Sequence, residues 1–215
     1  MNIHHLTVGP LYVNCFLLIE PETRESWLVD PGGNVSDIMG LLESTRARLT
    51  RIINTHAHFD HVLAAPDIKD ATGATFHLHQ AEQPVLDYAP LAVKSWLGWE
   101  WGPPPKVDSY LAHGQIVMLG EEQLEVRHAP GHSPGSIIFV DHQNRRAWVG
   151  DTIFRENVGR TDLPGGNHSQ LIRAINEQIL TLPDEYILYP GHGPFTTVGH
   201  ERRHNPYASP DLWIG

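Results

Sequence analysis

The chain opens with three apolar-rich runs, Ile3 to Val8, Asn14 to Ile19 and Ser26 to Val29, that read as β-strands. Gly9-Pro10 and the polar stretch Glu20 to Glu25 separate them. Asp30-Pro31-Gly32-Gly33 predicts a tight turn, because Pro31 fixes the entry and the glycines permit positive φ. From Val35 to Thr45 the apolar positions take up helical spacing, with Ile38, Leu41, Leu42 and Val35 on the buried face. A short strand follows at Arg51-Ile52-Ile53-Asn54, and His61 to Asp70 starts another helix. Thr75 to Leu78 is a further strand and Gln80 to Asp87 a short helix.

Tyr88 to Asp108 has no clear period. It carries Trp96, Trp99 and Trp101, then Pro103-Pro104-Pro105, a run that cannot be helix interior. A long aromatic loop is predicted there: a flap over a substrate site, or a loop pinned to the body by its Trp side chains. Strand patterning returns at Gln115 to Leu119, Gln123 to His128, Ser136 to Val140 and Arg146 to Val149. His168 to Leu182 is a helix with Leu171, Ile175, Ile179 and Leu182 on one face, and Tyr186 to Tyr189 is a final strand. Two strand runs, each with helices, predict an α/β fold of two face-to-face sheets with helices outside. No linker divides them, so residues 1–215 are expected to form a single domain. Tyr207, Leu212, Trp213 and Ile214 near the end offer an apolar seal for the body or a neighbouring subunit. A monomer or small homo-oligomer is expected.

Composition narrows the function. Formal charge is -10 with His neutral, and no basic block stands out, which argues against nucleic acid as a partner. No apolar run approaches the roughly 18 residues of a membrane span. Met1 to Val8 lacks a basic segment followed by an apolar core, so a cytoplasmic, membrane-free protein is expected. A single cysteine, Cys15, excludes an intrachain disulfide and a Cys-based zinc site, and its apolar run marks it as a buried small hydrophobe. Histidine, at 15, is as numerous as Lys and Arg together, also 15, which directs attention to metal ligands.

Three imidazoles and a carboxylate fall within Thr55-His56-Ala57-His58-Phe59-Asp60-His61. The stretch sits on a turn leaving a strand, where neither helical nor pleated spacing forces side chains apart. Imidazole and carboxylate are ligands that divalent transition metals take. Three later strands end in sharp turns that each present one more such group: Ala129-Pro130-Gly131-His132-Ser133-Pro134-Gly135, Val149-Gly150-Asp151-Thr152 and Tyr189-Pro190-Gly191-His192-Gly193. Gly and Pro fix the backbone there, so each ligand's direction is preset.

These motifs resemble the metallo-β-lactamase superfamily over nearly the whole chain. His56 to His61 fits its H-x-H-x-D-H signature, and the later turns follow in order. The resemblance implies an αβ/βα four-layer sandwich with a two-metal site at one edge. It assigns His56, His58 and His132 to one ion, Asp60, His61 and His192 to the other, and Asp151 to both. Zn is the first expectation, with Fe or Mn also suited to thiolate-free ligation. Within the superfamily, Pro130 to Ser136, Gly150 to Phe154, Gly159 to Gly166 and Glu201 to Tyr207 resemble the short-form glyoxalase II-like (hydroxyacylglutathione hydrolase-like) hydrolases.

That branch implies hydrolysis of a small-molecule thioester, S-lactoylglutathione or a related acyl-glutathione, by hydroxide activated at the metals. Asp60 is expected to hold the second ion and orient the nucleophile. Arg160 matches a position where the family sets a basic residue against a glutathione carboxylate; pairing with Asp162 or Glu156 is the alternative. The C-terminal helical domain of full-length glyoxalase II is expected to be missing, since about twenty residues follow His192. A β-lactamase is disfavoured, because Asp151 stands where many lactamases carry a Cys ligand. The competing readings are an iron-dependent persulfide dioxygenase using His56, His132 and Asp151, a metallo-hydrolase of other esters or lactones, and a non-enzymatic zinc module.

Overall fold

A computed structural model describes residues 1–208. Its first half runs β1 (Asn2–Val8), β2 (Val13–Ile19), β3 (Glu25–Val29), α1 (Val35–Thr45), β4 (Arg48–Ile53), α2 (Phe59–Val62), α3 (Ala65–Thr72), β5 (Thr75–His79), α4 (Gln83–Leu97) and β6 (Ser109–Leu111). The second half runs β7 (Ile116–Leu119), β8 (Glu122–His128), β9 (Ile137–Asp141), β10 (Arg146–Gly150), the hairpin β11 (Ile153–Phe154) and β12 (Asn157–Val158), α5 (His168–Ala174), β13 (Ile187–Pro190), β14 (Thr196–Thr197) and α6 (Val198–His204). One sheet has the order β1-β2-β3-β4-β5-β6 and the other β14-β13-β10-β9-β8-β7. Strands β3 to β6 pair in parallel, as do β10 and β13; the remaining pairs are antiparallel.

The expected αβ/βα sandwich is what these residues build, and strand alternation shows why. In β2, Phe16 and Leu18 point between the sheets, where they meet Trp27, Leu124, Val126, Phe139 and Trp148. Cys15, Leu17 and Ile19 point the other way, into a layer with Ile38 of α1, Ile68 of α3 and Leu86 of α4. In β9, Ile137 and Phe139 face the partner sheet, while Ile138 and Val140 meet Leu171, Ile175 and Ile179. Strands buried on both faces read as unbroken apolar runs rather than as alternation. Cys15 lies in this core, as its surroundings predicted. Among the described residues no helix is long and apolar enough to cross a membrane.

One expectation needs correction. Tyr88 to Asp108 is not a loop throughout: α4 runs to Leu97, with Pro90 inside it. An interior proline costs a helix about 3 kcal/mol. Burial of Leu86, Ala89 and Val93, spaced for one helical face, offsets that here. The proline hid that face from the periodicity. The helix ends at Gly98, whose φ of 72° is left-handed and whose N–H bonds the Lys94 carbonyl. The remainder is pinned by Trp101, which donates from Nε1 to the Leu63 carbonyl at 3.0 Å. The helix expected from His61 is two short ones, α2 and α3, with Pro66 opening the second. The α5 helix continues as a π turn over Ile175–Ile179. Leu212, Trp213 and Ile214 lie outside the described residues.

Leu18 is fully buried between the sheets and Leu91 on α4 is 57% exposed. In urea unfolding, Leu18→Ala is expected to lose about 2–5 kcal/mol. Leu91→Ala should stay within about 0.5 kcal/mol of the parent. Equal losses would mean that the inter-sheet layer is not the core.

Candidate metal centre

All seven candidate ligands follow the carboxyl end of a strand. β4 delivers His56 and His58, with Asp60 and His61 on the short α2; β8, β10 and β13 deliver His132, Asp151 and His192. The sheets are stitched together at this edge. Ile137 N–H donates to the Thr55 carbonyl at 2.9 Å and Asn14 N–H to the Gly191 carbonyl at 2.7 Å, while within the second sheet Gly191 N–H donates to the Gly150 carbonyl at 2.8 Å. The Asn14 amide adds bonds to the Pro190 and Gly193 carbonyls at 3.0 and 2.9 Å. Gly191 is required by close approach, since a Cβ there would lie 2.1 Å from Asp151 Oδ1. Gly131 has a φ of 133°, and a Cβ on it would strike the Leu171 backbone at 2.2 Å.

The side chains converge as two groups, His56, His58, His132 and Asp60, His61, His192. In the first, His132 Nε2 lies 3.2 Å from His56 Nε2 and 2.9 Å from His58 Nδ1. In the second, His192 Nε2 lies 3.3 Å from both His61 Nε2 and Asp60 Oδ2. Asp151 spans the two: Oδ1 is 3.5 Å from His61 Nε2, and Oδ2 is 3.6 Å from His132 Nε2 and 3.5 Å from His192 Nε2.

The opposite ring nitrogens of His132, His192, His61 and His56 are spoken for. His132 Nδ1 faces the Arg160 carbonyl at 2.8 Å and His192 Nδ1 the Leu11 carbonyl at 3.0 Å. His61 Nδ1 faces Asp30 Oδ2 at 3.1 Å, and His56 Nδ1 faces Thr55 Oγ1 at 3.1 Å, which itself donates to Asp30. Each acceptor holds an Nδ1–H and so turns the Nε2 of that ring inward. Lone pairs about 3 Å apart repel unless a cation stands between them. Vertices of a tetrahedron with bonds of 2.0–2.1 Å are about 3.4 Å apart, so the spacing suits a transition-metal ion. Asp151 Oδ1 is buried without a hydrogen-bond partner, a second sign that the site is suited to cations.

Electrostatics separate the two groups. Burial holds His58 down to about 3 and His132 to about 4, and drives His56 well below its ordinary value, so this trio is neutral. Burial opposes charge on His61 too, yet Asp151, Asp60 and Asp30 together lift it to about 10. At Asp60, burial works against ionisation, but His61 and His192 hold the carboxyl far below its usual range. Burial outweighs those same rings at Asp151, whose pKa rises.

Residues 8–192 match the metallo-beta-lactamase superfamily. Hydroxyacylglutathione hydrolase GloC of Haemophilus influenzae is 32% identical over 97% of this chain and 99% of its own length. The chain belongs to the metallo-β-lactamase superfamily. Among solved structures of that superfamily's fold, BLEG-1 B3 metallo-beta-lactamase superposes with a TM-score of 0.89 at 33% identity, covering 97% of this chain and all of its own. TTHA1623 in a di-iron-bound form gives 0.87 at 37% identity, covering 95% and 99%.

The superfamily signature leaves two supporting carboxylates unmarked. Asp30 accepts from Thr55 N–H at 2.8 Å, Thr55 Oγ1 at 2.6 Å and His61 Nδ1. It lies within ligand spacing of His56 and His61, but its oxygens are committed to these donors. Its position at a strand end, like that of Asp151, was the available signal. Glu82 is fully buried, and its two oxygens accept from Ala57 N–H at 2.7 Å and Gly135 N–H at 2.6 Å. One carboxylate thereby ties the loop of His56 and His58 to the loop of His132. No local pattern marks it. Arg160 lines the cavity above the site, with Nε and Nη2 each 2.7 Å from an Asp162 oxygen and its guanidinium 5.4 Å from the Trp96 ring centroid. The pairing alternative for Arg160 is therefore met by Asp162.

The two groups should differ in pH dependence when metal is added back to stripped protein. The first trio has no proton to displace above about pH 5, so its affinity should be flat. His61 is protonated at pH 7, so an ion entering there displaces a proton, and its affinity should rise about tenfold per pH unit from 6 to 9. Calorimetry at several pH values reads this; two ions with equally flat profiles would contradict it. Glu82→Ala strands two buried N–H groups, at about 1–3 kcal/mol each. It should weaken the first ion roughly 10–100-fold, more than the second, as read by competition with a chelator.

Proposed function

We propose that this chain is a metal-dependent hydrolase of thioesters, with S-lactoylglutathione or a related acyl-glutathione as the first class to test. The carrying observation is the convergence of seven His and Asp side chains, five of them (His58, Asp60, His132, Asp151 and His192) on a cavity floor, with an unpartnered Asp151 oxygen between the two groups. Likeness to GloC along the whole chain supports the choice of thioester. His56, His58 and His132 would hold one ion, Asp60, His61 and His192 the other, and Asp151 both. Such a pair, when bound, supplies a water whose pKa is lowered towards 7 and an electrophile for a carbonyl oxygen.

The chain's own groups do the rest. Asp60, kept as a carboxylate, accepts a hydrogen bond from the attacking water and aims it. Leu11 and Phe59 at the cavity wall exclude bulk water. A thiolate leaves readily near neutral pH, so no strong general acid is needed. Arg160 at the cavity wall is held by its two-pronged bond to Asp162, so it would anchor a substrate carboxylate only by giving up that partner.

Iron-dependent persulfide oxidation is the second reading; the di-iron-bound form of the 37% identical TTHA1623 supports iron as a metal for such a site, with two ions rather than one. It needs three of the seven ligands and leaves the convergence of Asp60, His61 and His192 without a purpose. Likeness to BLEG-1 adds a β-lactam to the substrate panel.

Thiol release from S-lactoylglutathione, before and after chelation, is the test, run beside oxygen uptake with a persulfide. Metal-dependent thiol release with no oxygen uptake is expected; oxygen uptake alone would replace the hydrolase reading. Asp60→Asn should lower second-ion occupancy and turnover together, roughly 10–100-fold. Full activity with both ions retained would remove Asp60 from the mechanism.

A further inference from the structure

The cavity over the site has a polar floor and apolar walls. Its volume is 380 Å³. Val85, Ala89, Ala92 and Trp96 of α4 form one wall, and Leu163 and Pro164 contribute to the lining from the loop after β12. Apart from the His and Asp side chains of the floor, Arg160 is the one charged side chain among the described lining residues. Its charge is already met by the two-pronged bond to Asp162 and by the Trp96 face. A tripeptide end with two carboxylates and an ammonium would find few partners on these walls, and polar groups buried without partners weaken binding. An apolar group gains with every methylene it buries there, about fourfold in affinity for each.

We propose that this cavity takes an apolar group of the substrate, an aliphatic chain or an aromatic ring, attached on the acyl or the thiol side of the scissile bond. A hydroxylated acyl group such as lactoyl is a poor occupant. The inference rests on the thioester-hydrolase reading and sharpens its substrate class. Trp96, 53% exposed and 6.2 Å in ring centroid from Phe59, forms an aromatic lip at the entrance. The cavity wall is thus a specificity determinant separate from the metal-binding floor.

Two substrate series test this on the metal-loaded enzyme. In one, glutathione carries acetyl, butanoyl, hexanoyl or lactoyl groups. In the other, acetyl is carried by ethanethiol, hexanethiol or glutathione. The specificity constant kcat/KM should climb about threefold to fourfold per methylene in one series, until the cavity is filled. The climbing series names the side that enters. Ala92→Trp, which fills the wall, should flatten that climb. Two flat series, or lactoylglutathione as the best substrate, would overturn the apolar occupant and leave the hydrolase reading standing. Binding of S-hexylglutathione and S-methylglutathione, followed by tryptophan fluorescence, separates the two ideas. No thioester hydrolysis, with the hexyl compound bound far more tightly, would overturn the hydrolase reading and keep the occupant. Equal binding of the two compounds would overturn the occupant.

Discussion

Several imidazole nitrogens and two carboxylates are held in this molecule closer together than neutral groups tolerate. His132 Nε2 is within 3.2 Å of two other ring nitrogens, His56 Nε2 and His58 Nδ1. Such an arrangement is stable only if positive charge stands among the lone pairs, or if the surroundings prevent the rings from turning away. The surroundings do the second: the rings are tied from behind to carbonyls of Arg160 and Leu11, to Thr55 and to Asp30. Where carboxylates crowd in, a proton on His61 supplies the charge that a metal would displace. The site is thus built before any ion arrives, and its two halves differ in what an ion must overcome.

The rest of the fold supplies that rigidity. Each ligand-bearing turn leaves a strand of one of the two sheets, so the turns cannot drift independently. Bonds from Ile137 to Thr55 and from Asn14 to Gly191 lock the two sheets to each other at the edge where the ligands gather. Glu82 adds an acceptor for two ligand loops in a place where burial makes an unpaired N–H costly. Close approach then dictates composition: Gly191 lies against Asp151, where no other residue fits.

Much of this was legible in the sequence because the information is local. Strands buried on both faces gave apolar runs, the turns carried Gly and Pro beside each ligand, and all seven candidate ligands meet in space. Asp30 was visible as a turn residue but not as the acceptor behind His61, because that bond spans 31 residues. Glu82 had no local signature at all. The short strands β6, β11, β12 and β14 and the helix α6 escaped notice, since two- and three-residue strands have too few positions to establish a period.

The helix α4 was the largest misreading, and the reason bears on function. Pro90 interrupts the pattern that would have marked Tyr88 to Leu97 as helical, and only packing of Leu86, Ala89 and Val93 on the body restores it. One face of that helix is core; another, with Val85, Ala92 and Trp96, lines the cavity. Chemistry at the floor needs particular residue types at particular turns, so it leaves motifs. A wall that selects by shape and apolarity needs only volume and exposure, which many residues satisfy. The part of the chain that decides what enters is therefore written in tertiary packing, and it became readable when the helix was seen against the sheet.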